Sequence, residues 1–172
     1  MWQSFHLPSI INTVFHLFPH MHIFFGSDHN GHSIEPELRE FTKTLGHTVE
    51  SFSNNTLDPT DDYPDFALAV AEAVIATKDS FGIVICGSGG GVSVAANKVP
   101  GIRAILCYTP DQASYARRDD NANVLALGAR YTDVESLKLM IKNFLETPFA
   151  TEERYKRRLD KVNAIEHKYT HL

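Results

Sequence analysis

The sequence has little of what marks most specialised protein classes. It holds two cysteines in 172 residues, Cys86 and Cys107, both at the ends of apolar runs and neither in a C-x-x-C or mixed Cys/His ligand spacing. A disulfide framework and a metal centre are therefore not expected, and a reducing, cytoplasmic setting is. No apolar run approaches the roughly 18 residues needed to cross a bilayer, so no membrane partner is expected. Basic residues are outnumbered, 16 Lys and Arg against 21 Asp and Glu for a net charge of −5. They form no stripe interleaved with aromatics, which argues against nucleic acid as a partner. The basic cluster near the C-terminus (Arg154, Lys156, Arg157, Arg158, Lys161, Lys168) is interrupted by Glu152, Glu153, Asp160 and Glu166, a mixture that suits a solvated helix. A phosphate-cradling G-x-x-x-x-G-K-[ST] is missing, and the Gly-Ser-Gly-Gly-Gly run at 87–91 matches G-x-G-x-x-G imperfectly and in mid-chain. Both nucleotide readings are weak.

What is present is enough apolar content, 43%, for one domain with a full core. Residues 1–20 are apolar and His-rich without Lys or Arg, unlike a secretory signal or a transit peptide. They read as an N-terminal extension or an early start site, with a short anchoring helix through Ile10, Ile11, Val14, Phe15 and Phe18 as the alternative. From Met21 on, apolar runs alternate with helical patterns. Strands are expected at Ile23–Phe25, Thr48–Phe52, Gly82–Ile85, Arg103–Cys107 and Val124–Leu127. Helices are expected near Ser33–Leu45, Asp65–Ala76, Gly91–Asn97, Pro110–Arg117, Asp133–Leu145 and from Thr151 to about His167. This rhythm predicts a three-layer α/β/α, Rossmann-like domain over 21–172, with a five-stranded parallel sheet and a C-terminal helix.

The richest segment runs from Phe81 to Lys98. An apolar strand delivers Cys86 into a glycine turn (Gly87, Ser88, Gly89, Gly90, Gly91), and a small-residue helix follows. Glycines there permit positive φ and close approach of a ligand, and a helix start favours anions and thiolates. In an open parallel sheet, ligands sit beyond the carboxyl ends of the strands. That rule brings Ser27-Asp28-His29-Asn30-Gly31, Cys86-Gly87-Ser88 and Tyr108-Thr109-Pro110 to one cleft, where Asp28, His29 and Cys86 form an acid–base set. The plain alternatives are a Gly-rich turn without chemistry, Cys86 as a small strand-ending hydrophobe, and Asp28 with His29 as a helix cap. Cys107 reads as core, and His47, His167 and His171 read as surface residues.

Several segments together resemble one family: Gly26-Ser-Asp-His29, Asp62-Tyr-Pro-Asp65, Ile85-Cys-Gly-Ser-Gly89, Ala95 to Ala104, Asn123 to Arg130, Thr147-Pro-Phe149 and Glu153 to Arg158. Over Met21 to about Glu166 the chain resembles the type B ribose-5-phosphate isomerases and the related galactose-6-phosphate isomerase subunits. The resemblance implies interconversion of an aldose phosphate and a ketose phosphate through an enediolate, without metal or other cofactor. It implies Cys86 as the base, with Ser88 and the turn amides stabilising the enediolate, and Asp28, His29, Gly87 and Gly91 on the substrate. It implies a phosphate site of His29, Arg130, Arg154 and Arg158, with Arg130 coming from a neighbouring subunit. A homodimer with shared active sites, or a tetramer, follows.

The chain departs from the family at Asp119-Asp120-Asn121, where the family usually carries His-Asn-Asp in the connection leading to Asn123. That histidine is held to open the sugar ring. Asp119 takes its place as a candidate catalytic residue, and Asp120 stands beside it with no assigned role. A carboxyl near pKa 4 is a poor acid at neutral pH unless burial or Asp120 raises it. Tyr155 likewise replaces a histidine that often follows the first arginine. The alternatives are therefore the same chemistry on a tetrose 4-phosphate or on galactose 6-phosphate, or a sugar-phosphate binding subunit without catalysis.

Overall fold

A computed structural model describes residues 19–170. The extension read from the sequence at 1–20 lies almost wholly outside the described residues, as does His171. The described chain alternates strand and helix throughout: β1 His22–Ser27, α1 Glu35–Thr44, β2 Thr48–Ser51, α2 Tyr63–Ala76, β3 Ser80–Cys86, α3 Gly90–Ala96, β4 Ala104–Cys107, α4 Pro110–Asp120, β5 Val124–Gly128, α5 Val134–Glu146 and α6 Glu153–Thr170. The five strands form one parallel sheet in the order β2-β1-β3-β5-β4.

Strand side chains alternate between faces, so each strand feeds two cores. Ile23, Phe25, Ile83, Ile85, Leu125 and Leu127 pack with Leu38 of α1, Ala113 and Ala116 of α4, and Leu137, Met140, Ile141 and Phe144 of α5. Phe24, Val84, Cys86, Val124 and Ala126 pack instead with Ala67, Val70, Ala71 and Val74 of α2 and with Val92 and Ala96 of α3. These runs are apolar on both faces because both faces are covered. Fully burying one of the larger side chains contributes roughly 1.5–3 kcal/mol. The small residues of α2 allow close approach to the sheet: a Cβ on Gly82 would stand 2.6 Å from Val70 Cγ1.

Helix starts follow their sequence signals. Pro36, Pro64 and Pro110 sit in the first turns of α1, α2 and α4, where a missing N–H is harmless. Thr109 caps α4 by accepting the Gln112 N–H at 3.3 Å, and Asp133 caps α5 by accepting that of Ser136 at 2.9 Å.

Two expectations are corrected and one alternative, the helix cap, is removed. Helix α4 does not end at Arg117 but runs to Asp120, because the left-handed residue that closes it is Asn121, with φ 49°. Asp119 and Asp120 therefore belong to a helix rather than to a connection. Asp28 and His29 cap nothing, since α1 begins at Glu35 with Ile34 at its N-cap. His47 is buried at 7% exposure rather than on the surface, whereas His167 is exposed.

Candidate active site

The chain runs from β1 outward to β2 and then crosses back to β3, so neighbours β1 and β3 send their following loops apart. Such a switch point opens a crevice at the carboxyl edge of the sheet. The register pairs Ser27 with Ile85, and the Asp28 N–H still donates to the Ile85 carbonyl at 3.3 Å. Asp28 and Cys86 thus leave adjacent strands side by side, both buried at 4% exposure.

The glycine turn is shaped around Cys86. The Gly89 N–H donates to Cys86 Sγ at 3.1 Å. Gly89 holds φ 77°, and a Cβ there would stand 2.4 Å from Leu106 Cδ1 and 2.8 Å from the Leu127 carbonyl carbon. Only glycine fits. The Ser88 hydroxyl accepts the Gly90 N–H at 3.3 Å, and the Ser88 carbonyl accepts the Tyr108 hydroxyl at 3.1 Å. A Cβ on Gly91 would press on the Tyr63 ring at 2.8 Å, so the first turns of α2 and α3 touch here. Cys107, in contrast, is fully buried, and burial pushes its thiol up to about 12. It is core.

A polar network joins the other loops. Asp28 accepts the backbone N–H of Asn30 at 2.9 Å and its side-chain amide at 3.1 Å. The Asn30 side-chain oxygen Oδ1 accepts Arg130 Nη2 at 2.8 Å, and the Asn30 side-chain amide nitrogen lies 2.9 Å from His29 Nε2. On the far side of the ring, His29 Nδ1 meets Asp61 Oδ1 at 2.9 Å. That hydrogen bond, aided by the charges of Asp28 and Asp61, raises the His29 pKa above its ordinary value. Beneath the network the Glu35 carboxylate accepts the hydroxyls of Ser27 and Ser51, each at 2.5 Å, and that of Ser53, tying the ends of β1 and β2 together.

Arg130 belongs to this same-chain cluster. A Cβ on Gly87 would lie 2.9 Å from Arg130 Nε. The expectation that a neighbouring subunit supplies Arg130 is thus at odds with its position over its own Gly87, which follows from Cys86 pairing with Gly128 on the adjacent strand.

The remaining candidates sit elsewhere. β5 climbs from Val124, paired with Gly82, to Gly128, paired with Cys86, which at about 3.3 Å per residue separates the two sheet edges by about 13 Å. Asp119 and Asp120 end α4 on the amino edge, just before β5. There Arg103 Nε donates to the Asn121 carbonyl at 2.9 Å, and the Asn123 amide donates to that of Gly101 at 2.8 Å. Asp119 accepts Arg118 Nε at 2.6 Å and Nη2 at 3.2 Å. That pair above all, with the Tyr155 hydroxyl and nearby Arg154, holds its carboxyl below the usual range, whereas burial and Asp119 push Asp120 up against the pull of Arg158. The rise imagined for Asp119 is not found. Arg154 stacks over Tyr155 at 4.5 Å and donates to its hydroxyl at 2.6 Å. Arg158 and Leu159 of α6 face Asp119 and Asp120 across a groove of about 460 Å³ along β4.

One chain therefore presents two half-sites: Asp28, His29, Cys86, Gly87, Ser88, Gly91 and Arg130 at the carboxyl edge, and Asp119, Asp120, Arg154 and Arg158 at the amino edge. Sequence reasoning brought Asn30 to the cleft with its loop but gave it no role, and it missed Asp61, since nothing in the sequence joins that residue to a histidine 32 residues away. Among the described residues no group of acidic, His and Cys side chains is arranged to hold a metal ion, and no helix is long and apolar enough to cross a membrane.

The sequence pattern of the ribose/galactose isomerase family matches residues 23–162. A probable ribose-5-phosphate isomerase B of Mycoplasma genitalium is 44% identical over 142 residues, covering 81% of this chain and 92% of that protein. The ribose-5-phosphate isomerase B of Mycobacterium tuberculosis H37Rv is 36% identical over 140 residues, covering 81% and 86%. Among solved structures, the type B ribose 5-phosphate isomerase of Trypanosoma cruzi superposes with a TM-score of 0.84 at 40% identity, covering 88% of this chain and 99% of that one. The M. genitalium enzyme with bound ribulose-5-phosphate gives 0.82 at 39% identity, covering 86% and 99%.

Proposed function

The chain belongs to the ribose/galactose isomerase family and is an aldose–ketose isomerase, and on that premise we propose that it interconverts ribose 5-phosphate and ribulose 5-phosphate through an enediolate with Cys86 as base. The observation that carries the mechanism is Cys86 Sγ at the end of β3, held by the Gly89 N–H beside Asp28 and His29. In the aldose-to-ketose direction the Cys86 thiolate takes the proton from C2, and the C2–H electron pair becomes the C1–C2 double bond as the carbonyl pair moves onto O1. The thiol then returns that proton to C1, while the O2 proton passes to O1 and C2 becomes the carbonyl. Backbone N–H groups of the 87–91 turn, with Ser88, stabilise the developing oxyanion.

The two half-sites support a shared site in a homodimer: Cys86, Asp28, His29 and Arg130 from one protomer, Asp119, Arg154 and Arg158 from its partner. Guanidinium forks suit the phosphate. Helix α6 supports the same reading. Tyr155 is its one buried residue among those described, and Val162, Ile165 and Tyr169 stay exposed, an apolar face that a second copy would cover.

Asp119 favours a second reading of the substrate. A carboxylate held below its ordinary range has no proton to give at neutral pH. An acyclic substrate such as a tetrose 4-phosphate, whose phosphorylated hydroxyl cannot close a ring, needs no ring-opening acid; galactose 6-phosphate is the six-carbon case. Turnover measured across four-, five- and six-carbon aldose phosphates decides among these, and turnover on none would favour a binding subunit.

A further inference from the structure

His29 is gripped from one side and aimed from the other. Asp61 Oδ1 accepts both the His29 backbone N–H and the ring Nδ1–H, each at 2.9 Å, and Asp61 Oδ2 accepts the Asn54 amide at 3.2 Å. The Asp61 side chain is only 8% exposed and the imidazole 33%. Three donors thus converge on one nearly buried carboxylate. The loop that carries it is itself anchored, since Ser53 Oγ accepts the Ser27 N–H at 2.7 Å and Asp61 N–H donates to the Asp58 carbonyl at 3.2 Å.

With Nδ1 turned to Asp61, Nε2 is the nitrogen left for the cleft, where the Asn30 amide donates to it at 2.9 Å. The amide's oxygen faces Arg130 Nη2 and its nitrogen also serves Asp28, so the contact belongs to the neutral ring; on protonation Nε2 becomes a donor, gives up the amide, and is free to meet a substrate anion. We propose that Asp61 is a positioning residue for the active site: by accepting Nδ1–H it fixes the His29 tautomer, directs Nε2 at the substrate's anionic group, and sets the pH range over which His29 meets that group as a cation.

The charged groups facing the ring all bear on this role. Asp28 comes from the same loop, Asp58 and Asp61 from the loop before α2, and Arg130 reaches the ring only through Asn30. The acidic side prevails and the His29 pKa is raised, the Asp61 hydrogen bond contributing most. An imidazolium therefore persists to higher pH than in a free histidine, whose pKa is about 6.5. Binding of a phosphate by His29 should be intact below the raised pKa and lost as pH climbs through it.

The inference deepens the proposed function and rests on it for its substrate, but the dyad can be tested without turnover. NMR titration of His29 in the full chain should show a proton on Nδ1 in the neutral form and a midpoint above the ordinary 6.5 or so. In Asp61→Asn, which keeps an oxygen for the backbone N–H, the midpoint should fall by about half a unit or more, and Asp61→Glu should recover part of it. In kinetics, the pH at which KM for the aldose phosphate begins to rise should move acid-ward in Asp61→Asn, with kcat changed less. In a His29→Gln background, Asp61→Asn should shift neither. An unchanged His29 midpoint and tautomer in Asp61→Asn overturns the inference even if activity falls, since the loss would then be structural. Wild-type protein inactive on every aldose phosphate would sink the proposed function and leave the titration to decide the dyad.

Discussion

Cys86 closes β3 at the carboxyl edge of the sheet, and Asp119 of the same chain lies at the amino edge. No motion of one side chain spans that gap, so a site using both needs two protomers. Mixing Cys86→Ala with an Arg154→Ala/Arg158→Ala variant, each nearly inactive alone, should restore activity after subunit exchange. Random pairing makes half the dimers mixed with one intact site each, or about a quarter of wild-type turnover. No recovery after verified exchange would place both half-sites in separate functions.

Arg154 and Arg158 are one helical turn apart on α6, and both lie against the Tyr155 ring. Lysine keeps the charge but loses the fork. Either Arg→Lys change should raise KM about tenfold or more, as expected for a charge-assisted hydrogen bond worth about 1.5–3 kcal/mol, with kcat little altered. A large fall in kcat at constant KM would assign these residues to the chemistry instead.

The glycine turn separates conformational need from mere openness. Gly89→Ala forces a side chain onto a φ of 77° and against Leu106 and the Leu127 backbone, whereas a Cβ on Gly90 meets nothing closer than Ser88 Oγ at 3.6 Å. Chemical denaturation should show Gly89→Ala losing about 1–3 kcal/mol. Gly90→Ala, inside a helix, should be neutral or slightly stabilising. Equal losses would mean the turn is not constrained as described.

Asp119 is held ionised by Arg118, Tyr155 and Arg154. Asp119→His should therefore accelerate turnover of a ring-forming pentose phosphate near pH 7, where imidazole is the better-matched proton carrier, and leave an acyclic tetrose phosphate unchanged. If all variants treat cyclic and acyclic substrates alike, Asp119 has no part in ring opening.

Much of this was legible in the sequence because covered parallel strands are apolar throughout and each βα turn carries glycine or polar residues. Among the described residues, all five strands and all six helices overlap their expected ranges, with α4 running three residues further than the pattern put it. The Cys86 turn was legible for the same local reason, since Gly89 and Gly91 announce a tight backbone. What could not be read were relationships across the sheet. Asp119 looked adjacent to the site because the resemblance puts it there, but α4 runs back along the sheet and carries it to the other edge. Arg130 was assigned to a neighbour, although the register of β3 with β5 sets it over Gly87. His47 looked like a surface residue, yet it is buried.

The central claim is that Cys86 moves the proton between C2 and C1. Its most direct test is turnover of ribose 5-phosphate deuterated at C2 by wild type, Cys86→Ala and Cys107→Ala. Wild type should show a primary isotope effect, Cys86→Ala should lose about a hundredfold or more in kcat while retaining its fold, and Cys107→Ala should retain turnover despite some loss of stability. A Cys86→Ala protein that isomerises the substrate at a near-normal rate would contradict the account.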